Sequence, residues 1–179
     1  MVRKPKRRER NSAGMLAPLT IQNIEKSIKV GLKDNKPDLA YYYWAMSEKM
    51  RVLQDSTLPF LQKWDKPLEL IDKALNINPN AKYFIEKANI LVGLNALDAA
   101  LEIYESIFDQ VEFSREMGIH ASLGMATCYS LLHEYEKCMK LLPKILKVVP
   151  EIKSQMALDS GFDNIRNSKY KSKFEKLLI

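Results

Sequence analysis

The sequence predicts an all-α protein built from antiparallel helical hairpins stacked on one another. From Leu19 onward nearly every segment repeats its apolar residues at intervals of three and four, and no segment shows four or more residues of clean apolar alternation. One pattern of packing residues occurs twice, displaced by 38 positions from Ala88 to Ala126. Proline-containing and Asn/Asp-containing turns separate the periodic segments, so the predicted unit is a pair of helices.

The first three predicted helices lie before residue 80. Apolar residues from Ile21 to Leu32 indicate a helix near residues 20–33, closed by the turn at residues 34–37. Asp38 can cap a second helix that continues to Leu53. A third helix follows the interruption at residues 55–59 and stops near Asn76, because the residue before a proline disfavours helical geometry.

The second half of the chain is more regular. Ser114 is a candidate cap, Pro143 predicts a kink or break, and Pro150 ends the helix that contains Pro143. Because the helices are joined by short turns, consecutive helices must run antiparallel. The predicted elements are helices near 81–94, 97–110, 115–132 and 134–149, short segments at 151–158 and 162–166, and a last helix near 169–178.

The repeated pattern combines small and bulky residues in a fixed order. Small side chains let two helices approach closely, and bulky side chains fill the space around that contact. Trp64 to Pro79 fits the second half of the same pattern. The first copy is Ala88, Leu91, Asn95, Leu97, Ala100, Tyr104 and Ile107, and the second is Ala126, Tyr129, His133, Tyr135, Cys138, Leu142 and Ile145.

This pattern resembles the tetratricopeptide repeat (TPR) family, whose hairpins of about 34 residues carry small side chains at the helix crossings and a proline at the end. The resemblance implies a right-handed superhelix of about three hairpins, closed by a C-terminal capping helix. The expected organisation is a flexible basic arm at 1–14 and a helical repeat domain at 15–179, with the better-matching hairpins 81–112 and 119–150, a degenerate hairpin 38–79 and the cap 151–179.

The charge of the chain is concentrated at its two ends. Of 28 Lys plus Arg and 22 Asp plus Glu, residues 1–14 carry a net +5, residues 15–138 a net −4 and residues 139–179 a net +5. A nucleic-acid partner therefore does not follow from the overall charge of +6. The arm admits three interpretations: a nuclear import signal, a contact with nucleic acid or the ribosome, or a solubilising tail. A fourth possibility is that either basic end docks on the acidic middle of the same or a neighbouring molecule. Its candidate phosphate-binding residues are Arg3, Lys4, Lys6, Arg7, Arg8 and Arg10.

Nothing in the sequence points to catalysis, a metal or a cofactor. Phosphate-loop, dinucleotide, nucleophile-elbow and zinc-protease motifs are absent, and Cys128 and Cys138 are expected to be small core thiols, because no CxxC or paired His accompanies them. No apolar stretch approaches the ~20 residues that span a bilayer. We therefore expect a non-enzymatic protein without cofactors, located in the cytoplasm, or in the nucleus if the arm is an import signal.

Two sets of residues are candidates for binding a partner. The first helices of stacked hairpins line a concave groove in the TPR family, and such a groove usually receives a peptide or a partner helix. The aromatic stretch Tyr41, Tyr42, Tyr43 and Trp44 spans all faces of a helix, so one or two of these rings are expected to leave the core and offer a second interface. The predicted groove residues are Lys82, Ile85, Asn89, Val92, His120, Leu123, Thr127 and Ser130.

The first functional hypothesis is a protein-protein interaction scaffold or adaptor that holds a partner segment in the groove. A second hypothesis is a subunit of a ribonucleoprotein or other nucleic-acid assembly that uses the basic ends. A third is a chaperone or escort for a secreted or assembling partner, which rests on the resemblance in fold alone. The sequence leaves open the identity of the partner and the oligomeric state.

Overall fold

The structure, a computed structural model, describes residues 38–53, 59–112 and 115–179. Every regular element within these residues is a helix, as the apolar periodicity predicts. The basic arm, the helix predicted near residues 20–33 and the Ser114 cap lie outside the described residues. The helices are α1 (Leu39–Leu53), α2 (Gln62–Ile77), α3 (Ala81–Gly93), α4 (Leu97–Gln110), α5 (Glu116–Leu131), α6 (Tyr135–Val148), α7 (Lys153–Met156), α8 (Asp163–Arg166) and α9 (Lys171–Leu178), with 3-10 turns at Pro150–Ile152 and Ser160–Phe162.

The six long helices of the described chain form three hairpins that pack in chain order. α1 contacts α2, α3 contacts α4 and α5 contacts α6, while α2 and α4 each also contact the helix that follows. The first helices of successive hairpins touch as well, because α3 contacts both α1 and α5. These contacts confirm the predicted array of stacked helical hairpins.

Caps and turns account for where the helices begin and end. The Asp38 carboxylate accepts a hydrogen bond from the Tyr41 N–H at 3.0 Å, and Asn80 caps α3 in the same way through the Tyr83 N–H at 3.2 Å. The sequence predicts the Asp38 cap. Each side chain satisfies one of the N–H groups that the first turn of a helix leaves without a partner.

The second and third hairpins turn with the same backbone geometry. Asn95 and His133 have φ angles of 61° and 62°, in the left-handed region that few non-glycine residues occupy. In each turn the N–H of the following residue donates to the carbonyl five positions earlier, at 2.9 Å and 2.8 Å. This is the Schellman arrangement, which satisfies carbonyls at the end of a helix. Equivalent residues of the repeat thus adopt equivalent conformations.

The apolar core consists of two clusters that meet at α3. The smaller cluster joins α1, α2 and α3 around Trp44, Trp64 and Ile90. The larger one extends from α3 to α9 and includes Tyr104 and Phe174. The four small residues predicted at helix crossings are 0% exposed, as expected: Ala88, Ala100, Ala126 and Cys138.

Two features of the helices differ from expectation. Of the kink or break predicted at Pro143, the break is wrong, because α6 runs through this residue without interruption. Pro143 is exposed, so water can satisfy the carbonyl that the missing N–H leaves free. Phe84 is one of the bulky residues that the repeat pattern predicts to fill the space around the helix contact, yet it is 38% exposed.

The C-terminal segments close the array over α5. The rings of Phe162 and Phe174 are fully buried and stack with centroids 5.5 Å apart. The Arg166 guanidinium holds the preceding turn by donating to the backbone carbonyls of Met156 and Ala157, at 3.1 Å and 3.2 Å. The cap is therefore an integral part of the larger core.

Candidate partner-binding face

The candidate site is the layer formed by the first helices α1, α3 and α5, called the inner face below. The eight predicted groove residues all lie on α3 and α5. Lys82 is exposed, and Val92 and His120 are partly exposed. The other five are at most 9% exposed: Ile85, Asn89, Leu123, Thr127 and Ser130. Contact of this set with a partner stays a prediction, because the described contacts of the five buried residues are within the chain.

Asn89 is engaged by the helix behind it. The buried Tyr104 hydroxyl donates to the Asn89 Oδ1 at 2.6 Å, which ties α4 to α3. On the other side of that ring lies Gly124 of α5, where an added Cβ would come within 2.3 Å of Tyr104. Asn89 and Gly124 therefore both accommodate the Tyr104 side chain: Asn89 of α3 accepts its hydroxyl group, and Gly124 of α5 leaves space for its ring.

The cap covers the C-terminal part of the inner face. A Cβ added to Gly161 would lie 2.7 Å from the Thr127 methyl group, and the Asn164 amide donates to the Leu131 carbonyl at 3.4 Å. Ser130 is 0% exposed in the same region. The accessible part of the inner face is thus nearer to α1 and α3.

An ion pair joins α1 to α3 across the inner face. The Arg51 guanidinium donates to both carboxylate oxygens of Glu86, at 2.7 Å and 3.1 Å. The exposed fractions of the two side chains are 13% and 4%. A two-pronged contact of this kind fixes the relative position of two helices better than a single bond does.

A second carboxylate lies close to this ion pair. Burial raises the pKa of Glu48 to about 7, and the nearby charge of Glu86 acts in the same direction, while Arg51 and Lys82 oppose the shift. Among the described residues the Glu48 Oε2 has no hydrogen-bond partner. The Glu48 carboxyl therefore lies beside the ion pair that joins α1 to α3, with a pKa near neutral pH.

The aromatic stretch of α1 is divided between core and surface. Trp44 is buried, stacks on Tyr83 with centroids 6.3 Å apart, and carries the Lys82 ammonium 3.6 Å from its ring centroid. Tyr41, Tyr42 and Tyr43 are partly exposed. Trp44 is thus occupied within the chain, and the three tyrosines are the members of the stretch that remain partly accessible.

The described residues contain no cluster of three or more His, Cys, Asp or Glu that could hold a metal ion. Cys128 and Cys138 are free and buried, and burial raises the pKa of each thiol to about 12. The expectation of core thiols is confirmed. None of the described helices is long and apolar enough to cross a membrane.

The ion pair was not predicted, although the sequence carries part of its signal. Glu48 and Arg51 are three positions apart, so they share a face of α1. The missing information was that this face meets Glu86 of α3, which depends on how two hairpins stack. The predicted phosphate contacts Arg3, Lys4, Lys6, Arg7, Arg8 and Arg10 lie outside the described residues.

Comparison with known proteins gives a partial similarity to a repeat protein. No family model and no solved structure matches the chain. Over 118 residues, or 66% of its length, the chain is 25% identical to the TPR repeat-containing protein MJ1428 of Methanocaldococcus jannaschii, and the match spans 18% of that protein. The chain is thus an all-helical stack of hairpins with similarity to part of a longer TPR repeat-containing protein.

Proposed function

We propose that this protein is a non-catalytic scaffold of the TPR kind, which binds a segment of a partner protein on its inner face. The observation that carries the proposal is the side-by-side contact of α1, α3 and α5, which supplies one continuous surface across three hairpins. Such surfaces suit extended peptides and helices, because the partner can contact several repeats at once. The similarity to a TPR repeat-containing protein supports the same class of function.

The accessible residues favour the half of the inner face nearer to α1 and α3. Lys82 and Val92 of α3 keep exposed surface there, and His120 of α5 is partly exposed as well. The partly exposed tyrosines of α1 offer a second contact region. Arg51 and Glu86 neutralise one another in this region. Because these two charges cancel, this region suits a partner segment that packs apolar side chains against Val92 and the tyrosine rings.

The test places negative charge on the accessible part of the inner face. The variant Val92→Glu with His120→Glu is compared with Ser154→Glu with Ser172→Glu, which adds the same two charges at exposed positions of the cap. Proteins captured from the source cells are quantified by mass spectrometry for the parent and both variants. We expect the inner-face variant to lose at least one partner that the parent and the cap variant both retain.

Circular dichroism of both variants checks that the helical fold is intact. Retention of every partner by a folded inner-face variant would refute binding on this surface. Equal loss of partners in both variants would also count against it, because the effect would then follow added charge anywhere on the protein.

A further inference from the structure

The outer side of the second hairpin carries a row of acidic residues. Their spacing of four, three and four positions places them along one side of α4, a helix that contains no Lys or Arg. Asp98, Glu102 and Asp109 are exposed, and Glu105 is partly exposed. This set, Asp98, Glu102, Glu105 and Asp109, is called the acidic row below.

The equivalent helix of the third hairpin carries the opposite charge. In α6 the residues 38 positions after Glu102 and Asp109 are Lys140 and Lys147. All four lysines of the helix are exposed, and their spacing of three, four and three positions places them on one side. This set, Lys137, Lys140, Lys144 and Lys147, is called the basic row.

Most of these charges have no partner within the described chain. Lys137 pairs with Glu134 at 2.6 Å, and Glu105 accepts a hydrogen bond from Tyr129 at 3.0 Å. The remaining members of both rows form no ion pair with a described residue. The first hairpin differs, because Glu69 of α2 pairs with both Lys66 and Lys73.

An apolar cavity adjoins the acidic row. It has a volume of about 420 Å³. Its lining includes Phe84 of α3, Ile103 and Glu102 of α4, and Val111, which directly follows α4. A matching apolar side chain stands beside the basic row: Val148, 41% exposed, follows Lys144 by one helical turn. Each row therefore combines charge with an apolar feature, a cavity in one case and a protruding side chain in the other.

We propose that these two rows bind a second copy of the same chain. The acidic row of one copy faces the basic row of the second copy, and the reciprocal contact forms at the same time about a two-fold axis. The rows match in length, about 16 Å and 15 Å at 1.5 Å per residue. In this contact the second copy's Val148 enters the cavity beside Glu102. The surface uses the second helices of the hairpins and leaves the inner face available to a partner.

Exposed ion pairs are individually weak and are screened by salt. The contact is therefore expected to be reversible and to tighten at low ionic strength. Raising the ionic strength shortens the screening length from about 30 Å at 0.01 M to about 8 Å at 0.15 M. We expect the dissociation constant of the dimer to rise at least about tenfold over that range, because several charges contribute together.

The test reverses each row separately and then combines the variants. The lysine-row variant is K140E with K144E and K147E, and the acid-row variant is D98K with E102K and D109K. Sedimentation velocity in low salt is measured for the parent, each variant, their equimolar mixture and the protein with all six changes. The parent is expected to dimerise and each triple variant to stay monomeric, while the mixture forms a heterodimer and the sixfold variant regains the homodimer.

A matched control distinguishes the effect of the basic row from the effect of a changed net charge. The variant K169E with K173E and K176E makes the same change of charge on the C-terminal segment, and it is expected to dimerise like the parent. V148D, with a single change, is expected to weaken the dimer without reversing the basic row. Circular dichroism on every variant verifies the fold.

Three results would overturn the proposal. The first is a parent protein that stays monomeric at a concentration on the order of 100 µM in low salt, where a dissociation constant of about 10 µM would give mostly dimer. The second is a mixture of the two triple variants that remains monomeric. The third is a monomeric parent that binds single-stranded RNA through a basic row whose reversal abolishes that binding, which would assign the row to nucleic acid.

Discussion

At the scale of single residues, Gly124 leaves the space that the Tyr104 ring occupies. The glycine is required because a methyl group at this position would overlap the ring, 2.3 Å away. The ring cannot retreat easily, since its hydroxyl is held by Asn89 and the residue is fully buried. Helix propensity alone would favour alanine over glycine here, so packing opposes the intrinsic preference.

Gly124→Ala is therefore expected to lower the free energy of unfolding by about 1–3 kcal/mol, the usual cost of overfilling a packed core. Chemical denaturation monitored by circular dichroism measures the change. The double variant with Tyr104→Leu, which removes the ring, should lose less than the sum of the two single variants. Strict additivity, or a gain of stability in Gly124→Ala, would contradict the proposed steric conflict.

Glu48 provides a prediction about pH. Its pKa is raised by burial, and further by Glu86, from 4.5 to about 7, so between these values the folded protein holds a proton that the unfolded chain has released. Stability is therefore expected to fall as pH rises through that window. Asp159, whose pKa is raised to about 6 by burial, acts in the same direction at lower pH. The two contributions overlap near pH 6, so the parent is compared with a variant that lacks only the Glu48 carboxyl.

Glu48→Gln should flatten the dependence of stability on pH between 6 and 8. At pH 8 we expect the variant to exceed the parent by about 1–3 kcal/mol, because the parent must keep a buried carboxylate charged. Thermal or urea unfolding at a series of pH values provides the measurement. The exposed Glu102→Gln serves as the control and should leave the slope as it is. An unchanged slope in Glu48→Gln would show that another group titrates.

At the scale of helices, the Arg51–Glu86 ion pair joins the first hairpin to the second. Arg51→Ala leaves Glu86 buried without its cation and is expected to cost about 3–5 kcal/mol. Lys66→Ala, which removes an exposed partner of Glu69, should cost less than about 1 kcal/mol. Urea denaturation compares the two variants.

Replacement of both residues of the Arg51–Glu86 ion pair tests why Arg51→Ala lowers the stability. Arg51→Met with Glu86→Leu should regain most of the lost stability, because the buried carboxylate that Arg51 neutralised at position 86 is then gone. If the double variant is as unstable as Arg51→Ala, the loss comes from packing of the arginine side chain instead.

Helix boundaries and the hairpin order could be predicted because they depend on local features. Asp38 as a cap, the turns at Asn95 and His133, and Pro150 are each recognised within a few residues of the chain. The accessible part of the candidate site could not be predicted in the same way. Thr127 looks like an exposed groove residue in the repeat pattern, yet the cap covers it from more than 30 positions away.

At the scale of the whole molecule, the two apolar clusters predict unequal stability along the array. The smaller cluster holds α1 and α2 to one side of α3, whereas the larger cluster extends from α3 to the cap. In stacked repeats each unit is stabilised mainly by its neighbours, so the unit with the smaller interface opens first.

Native-state hydrogen exchange followed by mass spectrometry should therefore reveal two levels of protection. The amides of α1 and α2 are expected to exchange through an opening of lower free energy than those of α5 and α6. Arg51→Ala should widen that difference, because it removes a link between the two units. One common free energy of opening for all four helices would contradict the division into two clusters.

The matching turns at Asn95 and His133 separate the backbone of a unit from its surface. Consecutive hairpins pass from their first helix to their second through the same left-handed residue and the same pair of backbone bonds, so the two units share one internal turn. In a repeat array each unit is stabilised mainly by its neighbours, and its outer side chains contribute little to that packing. The outer charges of two units can therefore be opposite, as in the acidic row and the basic row, while the backbone that carries them keeps the same turn.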